Sequence, residues 1–262
     1  MDIRIPKSFL AAMAGLAWLV AAPAQTPLRV AAAADLEPVL PPILAQFQQA
    51  TGIHAEATFQ ASAVLTTQIQ NGAPFDLFLS ADLGYPKKLI DAGLADAAGS
   101  PDSSTPIVYA KGTLVLWTRK DFHLPPPSLD LLRSPDLKRI AVANPDRAPY
   151  GRAAVAALTS LKLYDTLKPR IVTAENISQT AQFVDSGNAD AGLISLTSAL
   201  TPRLSGDGAY FVIPRDLYPP IEQGAVIVSK TVQRDNAHKL LDYLLSGPVQ
   251  AQLAKSGLSP VH

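Results

Sequence analysis

Cysteine is missing from all 262 residues, so no disulfide framework can form and the fold must rest on its apolar core. Histidine is scarce. The four present (His54, His123, His238, His262) lie scattered, without the spacing of a metal-binding set, and each reads as a surface or loop residue. Net charge is absent as well: 22 basic side chains balance 22 acidic ones, with no basic stripe to follow a nucleic acid and no acidic tail. There is no internal repeat, and no low-complexity segment beyond short alanine runs. A G-x-S-x-G elbow is also lacking, and no histidine falls in the turns singled out below. Both absences argue against a hydrolase built on Ser62 or Ser195 with Asp35. Those turns offer no second acid beside Asp35 for paired-carboxylate chemistry. What remains is a globular composition, 48% hydrophobic and 17% charged, long enough for one large or two modest domains.

The first 24 residues are a different kind of text. Arg4 and Lys7 precede an uncharged apolar run from Phe9 to Val20, and Ala22-Pro23-Ala24 matches the small-x-small cleavage rule. We read a signal peptide cut after Ala24, too short in its core for a membrane span. Export without cysteine suits a two-domain α/β protein of a bacterial periplasm.

The stretch from Phe59 to Asp82 organises the rest. It reads as strand end, turn, helix, stop, strand and second turn. Ser62 stands at the N-cap position ahead of Leu65 and Ile69, Asn71-Gly72 supplies a left-handed stop, and Phe75 to Leu79 is a buried strand. Before it, Leu28 to Ala34 reads as a strand ending at Asp35, Leu36 to Gln49 as a helix with Pro38 in its first turn, and His54 to Phe59 as a second strand. A helix from Tyr85 to Asp91 completes a β-α-β-α-β-α run. A second unit follows: strands at Ile107–Tyr109, Leu114–Trp117 and Arg139–Ala143, a helix after Tyr150-Gly151, then strand Ile171–Thr173. Asn176 and Gln179 make a capping box on the next helix, and Asp190 to Ile194 is a strand ending at Ser195. The tail returns to strand at Ala225–Val228 and to helices near Ala237–Leu245 and Val249–Lys255, which should pack back on the first lobe.

These elements predict an α/β, two-lobed architecture. Each lobe is a mixed, mostly parallel sheet with flanking helices, and the chain crosses twice at a hinge near Tyr109–Thr113 and Tyr218–Gly224. The expected division is 1–24 signal peptide, 25–111 with 222–262 as lobe 1, and 112–221 as lobe 2. Polar or glycine-containing turns sit at several strand ends: Asp35, Ser62, Tyr150-Gly151 and Asn176-Ile177. Ligands of open α/β sheets bind outside the carboxyl ends of strands, and helix N-termini favour anions. Two such lobes would close on a small anion, with N–H groups from both sides.

Four segments carry a family resemblance: Val30-Ala31-Ala32-Ala33-Ala34-Asp35-Leu36, Asn71 to Asp82, Asn144-Pro145 with Pro149-Tyr150-Gly151, and Asn188 to Gly192. Through them the whole mature chain resembles the periplasmic molybdate-binding (ModA) family of ABC-transporter solute-binding proteins. The resemblance implies a receptor that takes molybdate or tungstate through neutral donors and delivers it to an inner-membrane permease with its ATPase. It further implies a periplasmic monomer with no cofactor, no enzymatic activity and no nucleic-acid partner. Molybdenum would be held as molybdate, not as a free cation. The implied ligand-binding positions are Asp35, Ser62, Tyr150, Ile177 and Ser195. Asp35 stands where the family pattern has a serine, and Ser195 where many members have a tyrosine. A receptor for another small anion, phosphate-like or an organic acid, is the alternative, followed by a hydrolase or a non-transport sensor.

Asp35 is the odd member physically. An ionised carboxylate only accepts hydrogen bonds, as does an unprotonated oxyanion. Two unit charges about 4 Å apart at an effective dielectric near 20 repel by roughly 4 kcal/mol. The favoured arrangement is that the carboxylate turns away and caps its own helix at the Glu37 N–H, leaving the backbone N–H for the anion. The alternatives are a protonated anion that donates to it, such as hydrogen phosphate, or a metal centre that takes its oxygen. Arg147, Arg152, Asp76, Asp82, Glu222 and Tyr218 read first as surface, structural or packing residues.

Overall fold

A computed structural model describes residues 26–97, 104–122 and 124–261; the signal segment, His123 and His262 lie outside them. The strands are β1 (Leu28–Ala33), β2 (Ala55–Gln60), β3 (Leu77–Ser80), β4 (Ala95–Asp96), β5 (Ile107–Gly112), β6 (Leu114–Arg119), β7 (Ile140–Ala143), β8 (Ile171–Ala174), β9 (Ala191–Ser195), β10 (Gly208–Val212) and β11 (Ile221–Val228). Between them run α1 (Leu40–Thr51), α2 (Ser62–Gln70), α3 (Gly84–Asp91), α4 (Pro149–Ser160), α5 (Tyr164–Leu167), α6 (Ile177–Asp185), α7 (Leu196–Ala199), α8 (Pro202–Asp207), α9 (Arg234–Leu245) and α10 (Gly247–Lys255).

Two mixed sheets result. The first has the order β2-β1-β3-β11-β4, with β5 also paired to β11; the second has the order β10-β6-β9-β7-β8. The β-α-β rhythm produces the parallel pairs β1–β2, β1–β3, β7–β8 and β7–β9. The strands that carry the chain between sheets make the antiparallel pairs: β11 against β3, β4 and β5, and β6 against β9 and β10. Alternation along the chain does not announce those pairs, so the antiparallel share exceeds the sequence expectation. Thr113 alone separates β5 in the first sheet from β6 in the second, and β11 brings the chain back at Ile221.

Each sheet is covered on both faces, as parallel strands require. One face of the first sheet packs Leu40, Ile43 and Phe47 of α1 with Leu240, Leu241 and Leu244 of α9. Its other face packs Leu65 and Ile69 of α2 with Leu89 of α3. In the second sheet, Ala154, Ala157 and Leu158 of α4 cover one face, and Ala181 and Val184 of α6 the other. Gly72, at φ +85°, ends α2 as its Asn-Gly signal predicts.

Candidate functional site

β1 runs out into a single 3-10 turn, Ala34–Leu36, which places Asp35 at the carboxyl end of the first sheet with none of its surface exposed. The expected self-capping of a helix by Asp35 does not form. Pro38 has no N–H to give the Ala34 carbonyl, so Glu37 N–H closes that turn one residue earlier at 3.2 Å. α1 begins only at Leu40, with Pro41 in its first turn. The Asp35 side chain turns the other way, across the boundary between lobes. Its Oδ2 accepts from Tyr150 Oη at 3.2 Å and from Gln223 Nε2, while its backbone carbonyl accepts from Thr197 Oγ1 at 2.8 Å.

Ser62 is the first residue of α2 rather than its cap; Ala61 holds the N-cap position and no side chain caps that end. Ser62 Oγ accepts from Ala81 N–H at 3.1 Å instead, which ties the start of α2 to the turn after β3. Tyr150 follows Pro149 in the first turn of α4. Ile177 opens α6, whose cap Asn176 accepts from Gln179 N–H at 2.9 Å. Gln179 Oε1 reaches back to the Glu175 N–H at 2.7 Å, one residue before the position a capping box would serve. The first N–H groups of α2, α4 and α6 have no acceptor within their own helices.

These three helix starts meet. A small cavity of about 10 Å³ is walled by Asp35, Gln60, Ser62, Tyr150, Asn176 and Ile177, with alanines and Pro149 between them. Four of the five residues singled out from the sequence therefore share one cavity, drawn from both lobes. No lysine, arginine or histidine lines it. What it offers an anion is the main-chain N–H groups at the helix starts.

Ser195 is the exception. It is fully buried at the end of β9 and caps α7, accepting from Ser198 N–H at 3.3 Å, with its hydroxyl 2.8 Å from Thr197 Oγ1 and 2.9 Å from Ser198 Oγ. It does not line the cavity, because its hydroxyl is spent on its own turn. Thr197, two residues on, is the one that reaches Asp35.

Burial raises the Asp35 carboxyl from 3.8 to about 7, against the opposing pull of the bonds from Gln223 and Tyr150. Burial, with the Asp35 charge as a second cause, pushes the Tyr109 and Tyr150 phenols well above 10. Sequence reading does not single out Gln223 or Gly112 as site residues. A Cβ on Gly112 would lie 2.2 Å from Tyr150 Oη, so the glycine at the first crossing makes room for the tyrosine hydroxyl. The only signal for either was its place near a predicted crossing.

Contacts beyond the cavity draw the lobes together. Ala63 N–H donates to the Arg147 carbonyl at 3.1 Å, and Tyr85 Oη to the Asp146 carbonyl at 3.1 Å. Arg152 pairs with Asp82, and Ser178 Oγ donates to Glu37. Arg147 pairs with Glu175 within its own lobe, and Lys111 with Glu222 at 3.4 Å beside the crossings. Asp76 is structural, accepting from Arg29 N–H at 2.7 Å. A larger cavity of about 250 Å³, with Arg29 and Lys230 in its wall, opens at the amino end of β1, the opposite end from Asp35. Among the described residues no cluster of three or more metal-ligating side chains occurs, and no helix is long and apolar enough to cross a membrane.

Two α/β lobes joined by paired crossings, closed over a cavity of helix N-termini, define a solute-binding protein. Comparison with known proteins agrees. The family model for bacterial extracellular solute-binding protein matches residues 28–259. The molybdate-binding protein ModA of Azotobacter vinelandii is 36% identical over 256 residues, 98% of each chain. That of Rhodobacter capsulatus is 36% identical over 242 residues, 92% of this chain and 90% of its own. The solved structure of the Azotobacter vinelandii periplasmic molybdate-binding protein matches with a TM-score of 0.82 at 32% identity, covering 90% of this chain and 100% of that one. The chain belongs to the bacterial extracellular solute-binding proteins, and within them to the ModA family.

Proposed function

We propose that this chain captures molybdate or tungstate in the cavity between its lobes and delivers it, as a periplasmic monomer, to an ABC permease and its ATPase. It acts by binding and release, without catalysis and without a cofactor. The observation that carries this reading is the meeting of the α2, α4 and α6 N-termini on one cavity with no cationic side chain. Main-chain donors hold a dianion without cationic partners that would also hold counter-anions. Ser62, Tyr150 and Ile177 are assigned to the oxyanion through their N–H groups, and Ser62 through its hydroxyl as well. Asp35 forms the remaining wall. The bonds that cross the boundary, from Tyr150 to Asp35 and from Ala63 to Arg147, form as the lobes close.

The carboxylate in that wall favours a second reading, capture of an anion that carries its own proton, such as hydrogen phosphate, which can donate to Asp35. Thermal unfolding of the mature chain with molybdate, tungstate, sulfate or phosphate decides between them. A ligand at a hundred times its Kd stabilises by about 2.7 kcal/mol, roughly 5–10 °C for a chain of this size. A shift with molybdate and tungstate alone supports the first reading. A shift with phosphate alone supports the second, and no shift with any of the four refutes both.

A further inference from the structure

Asp35 is fully buried, yet only half of its carboxylate is satisfied. Oδ2 accepts two bonds, whereas Oδ1 is buried with no partner. The Gln223 side chain that donates to Oδ2 is likewise buried, and its Oε1 has no donor. Buried polar atoms are nearly always paired. Of the two, Oδ1 is the atom on which a proton would turn this wall from acceptor to donor. A protonated carboxyl is a donor as well as an acceptor, and a proton at Asp35 would convert one wall of the cavity from repelling an anion to holding it.

Nothing nearby supplies that conversion by charge. The titratable groups turned toward Asp35 are the phenols of Tyr109 on β5 and Tyr150 on α4, with Tyr218 acting on Tyr150 from behind. From β2, α2 and α6 the cavity wall receives Gln60, Ser62 and Ile177, and from α7 Thr197 bonds the Asp35 carbonyl; none of these ionises near neutrality. Glu37, on the same turn, is engaged with Ser178. No cation faces the site to offset a carboxylate and a dianion together.

We infer that oxyanion capture is proton-coupled: closing the lobes on a dianion loads one proton from solvent onto the Asp35 carboxyl, which becomes a hydrogen-bond donor within the site. This rests on the oxyanion reading above and adds the residue that sets its pH response. One O–H bond forms at Asp35, and the proton leaves again when the anion is released. Burial in the closed arrangement lifts the carboxyl from 3.8 to about 7, and a neighbouring dianion moves it further up. Affinity then falls toward tenfold per pH unit wherever the open chain's carboxyl is ionised and the closed chain's is protonated, until the bound-state carboxyl itself titrates.

The test is isothermal titration calorimetry of molybdate into the mature wild-type chain at pH 8, in two buffers of different ionisation enthalpy. The expected result is net proton uptake approaching one per anion bound, because the carboxyl that closure buries is ionised in the open chain at pH 8. D35N, a neutral near-isostere, is expected to bind with no uptake and a flat pH profile from 6 to 9. Wild-type binding with no proton uptake overturns the coupling and leaves oxyanion capture standing. Uptake that persists in D35N places the proton elsewhere and overturns the role of Asp35. Failure of molybdate, tungstate, sulfate and phosphate to bind at any pH from 5.5 to 9 overturns the oxyanion reading and the coupling with it.

Discussion

Replacing Gly112 by alanine should damage both stability and capture, although the residue touches no ligand. The added Cβ would lie 2.2 Å from Tyr150 Oη, 2.8 Å from Tyr150 Cζ and 3.0 Å from Ile221 Cγ2. Tyr150 is 1% exposed, so its ring has no room to step aside without moving α4. Overpacking of this kind costs about 1–3 kcal/mol. Displacing the hydroxyl also removes a bond to the carboxylate, of a class worth about 1.5–3 kcal/mol. Because one displacement produces both losses, they do not simply add; a total of about 2–4 kcal/mol lowers the melting temperature by roughly 4–16 °C. Molybdate affinity should fall by tenfold or more, since the α4 N-terminus moves with the tyrosine. Scanning calorimetry and titration calorimetry measure the two effects. Gly206→Ala is the control: nothing lies within 4 Å of its Cβ, and alanine in α8 should be neutral or slightly stabilising. If Gly112→Ala melts and binds like Gly206→Ala, the steric account of the first crossing is wrong.

Other outcomes follow from the same contacts. Because the chain with its lobes closed holds the Asp35 proton up to about pH 7 and the unfolded chain only to about 3.8, this group's contribution to the closed state is complete below pH 4, declines as pH rises and is gone above 7. Urea titrations should show stability falling by up to about 4 kcal/mol over that window in excess of Asp35→Asn, and identical pH profiles would remove Asp35 as the cause. Asp76→Ala should cost about 1.5–3 kcal/mol of stability, read from urea unfolding, by freeing the Arg29 N–H and the Thr231 hydroxyl, with molybdate affinity unchanged. Arg152→Ala should weaken binding only a few-fold, with the difference shrinking in high salt, because its pair with Asp82 is partly exposed; a loss above tenfold would mean that the pair does more than help closure.

The cavity was legible in part because three of its walls are helix starts. Apolar spacing followed by Asn71-Gly72 locates α2, the box of Asn176 and Gln179 locates α6, and Pro149 opens α4. Such signals are local, so a sequence carries them. The direction of Asp35 was not local: its partners Tyr150, Thr197 and Gln223 lie 115, 162 and 188 residues away. Propensity for a self-cap lost to a tertiary contact that only the folded crossings create. Gln223 sits in a strand whose burial on both faces makes it read as apolar text, and a polar residue there has no partner until β11 returns beneath the first turn. Ser195 misled for the opposite reason. Its own turn offered the Ser198 N–H, and a short side chain takes the nearest bond.

Main-chain donors from two lobes converging on one small anion is the central claim, and anomalous scattering reads it most directly. A crystal of the mature chain grown with molybdate should show a molybdenum peak in the cavity bounded by Ser62, Tyr150 and Ile177, within hydrogen-bonding reach of their N–H groups through its oxygens. A peak at the opposite end of β1, beside Arg29 and Lys230, or no peak at all, would contradict the account.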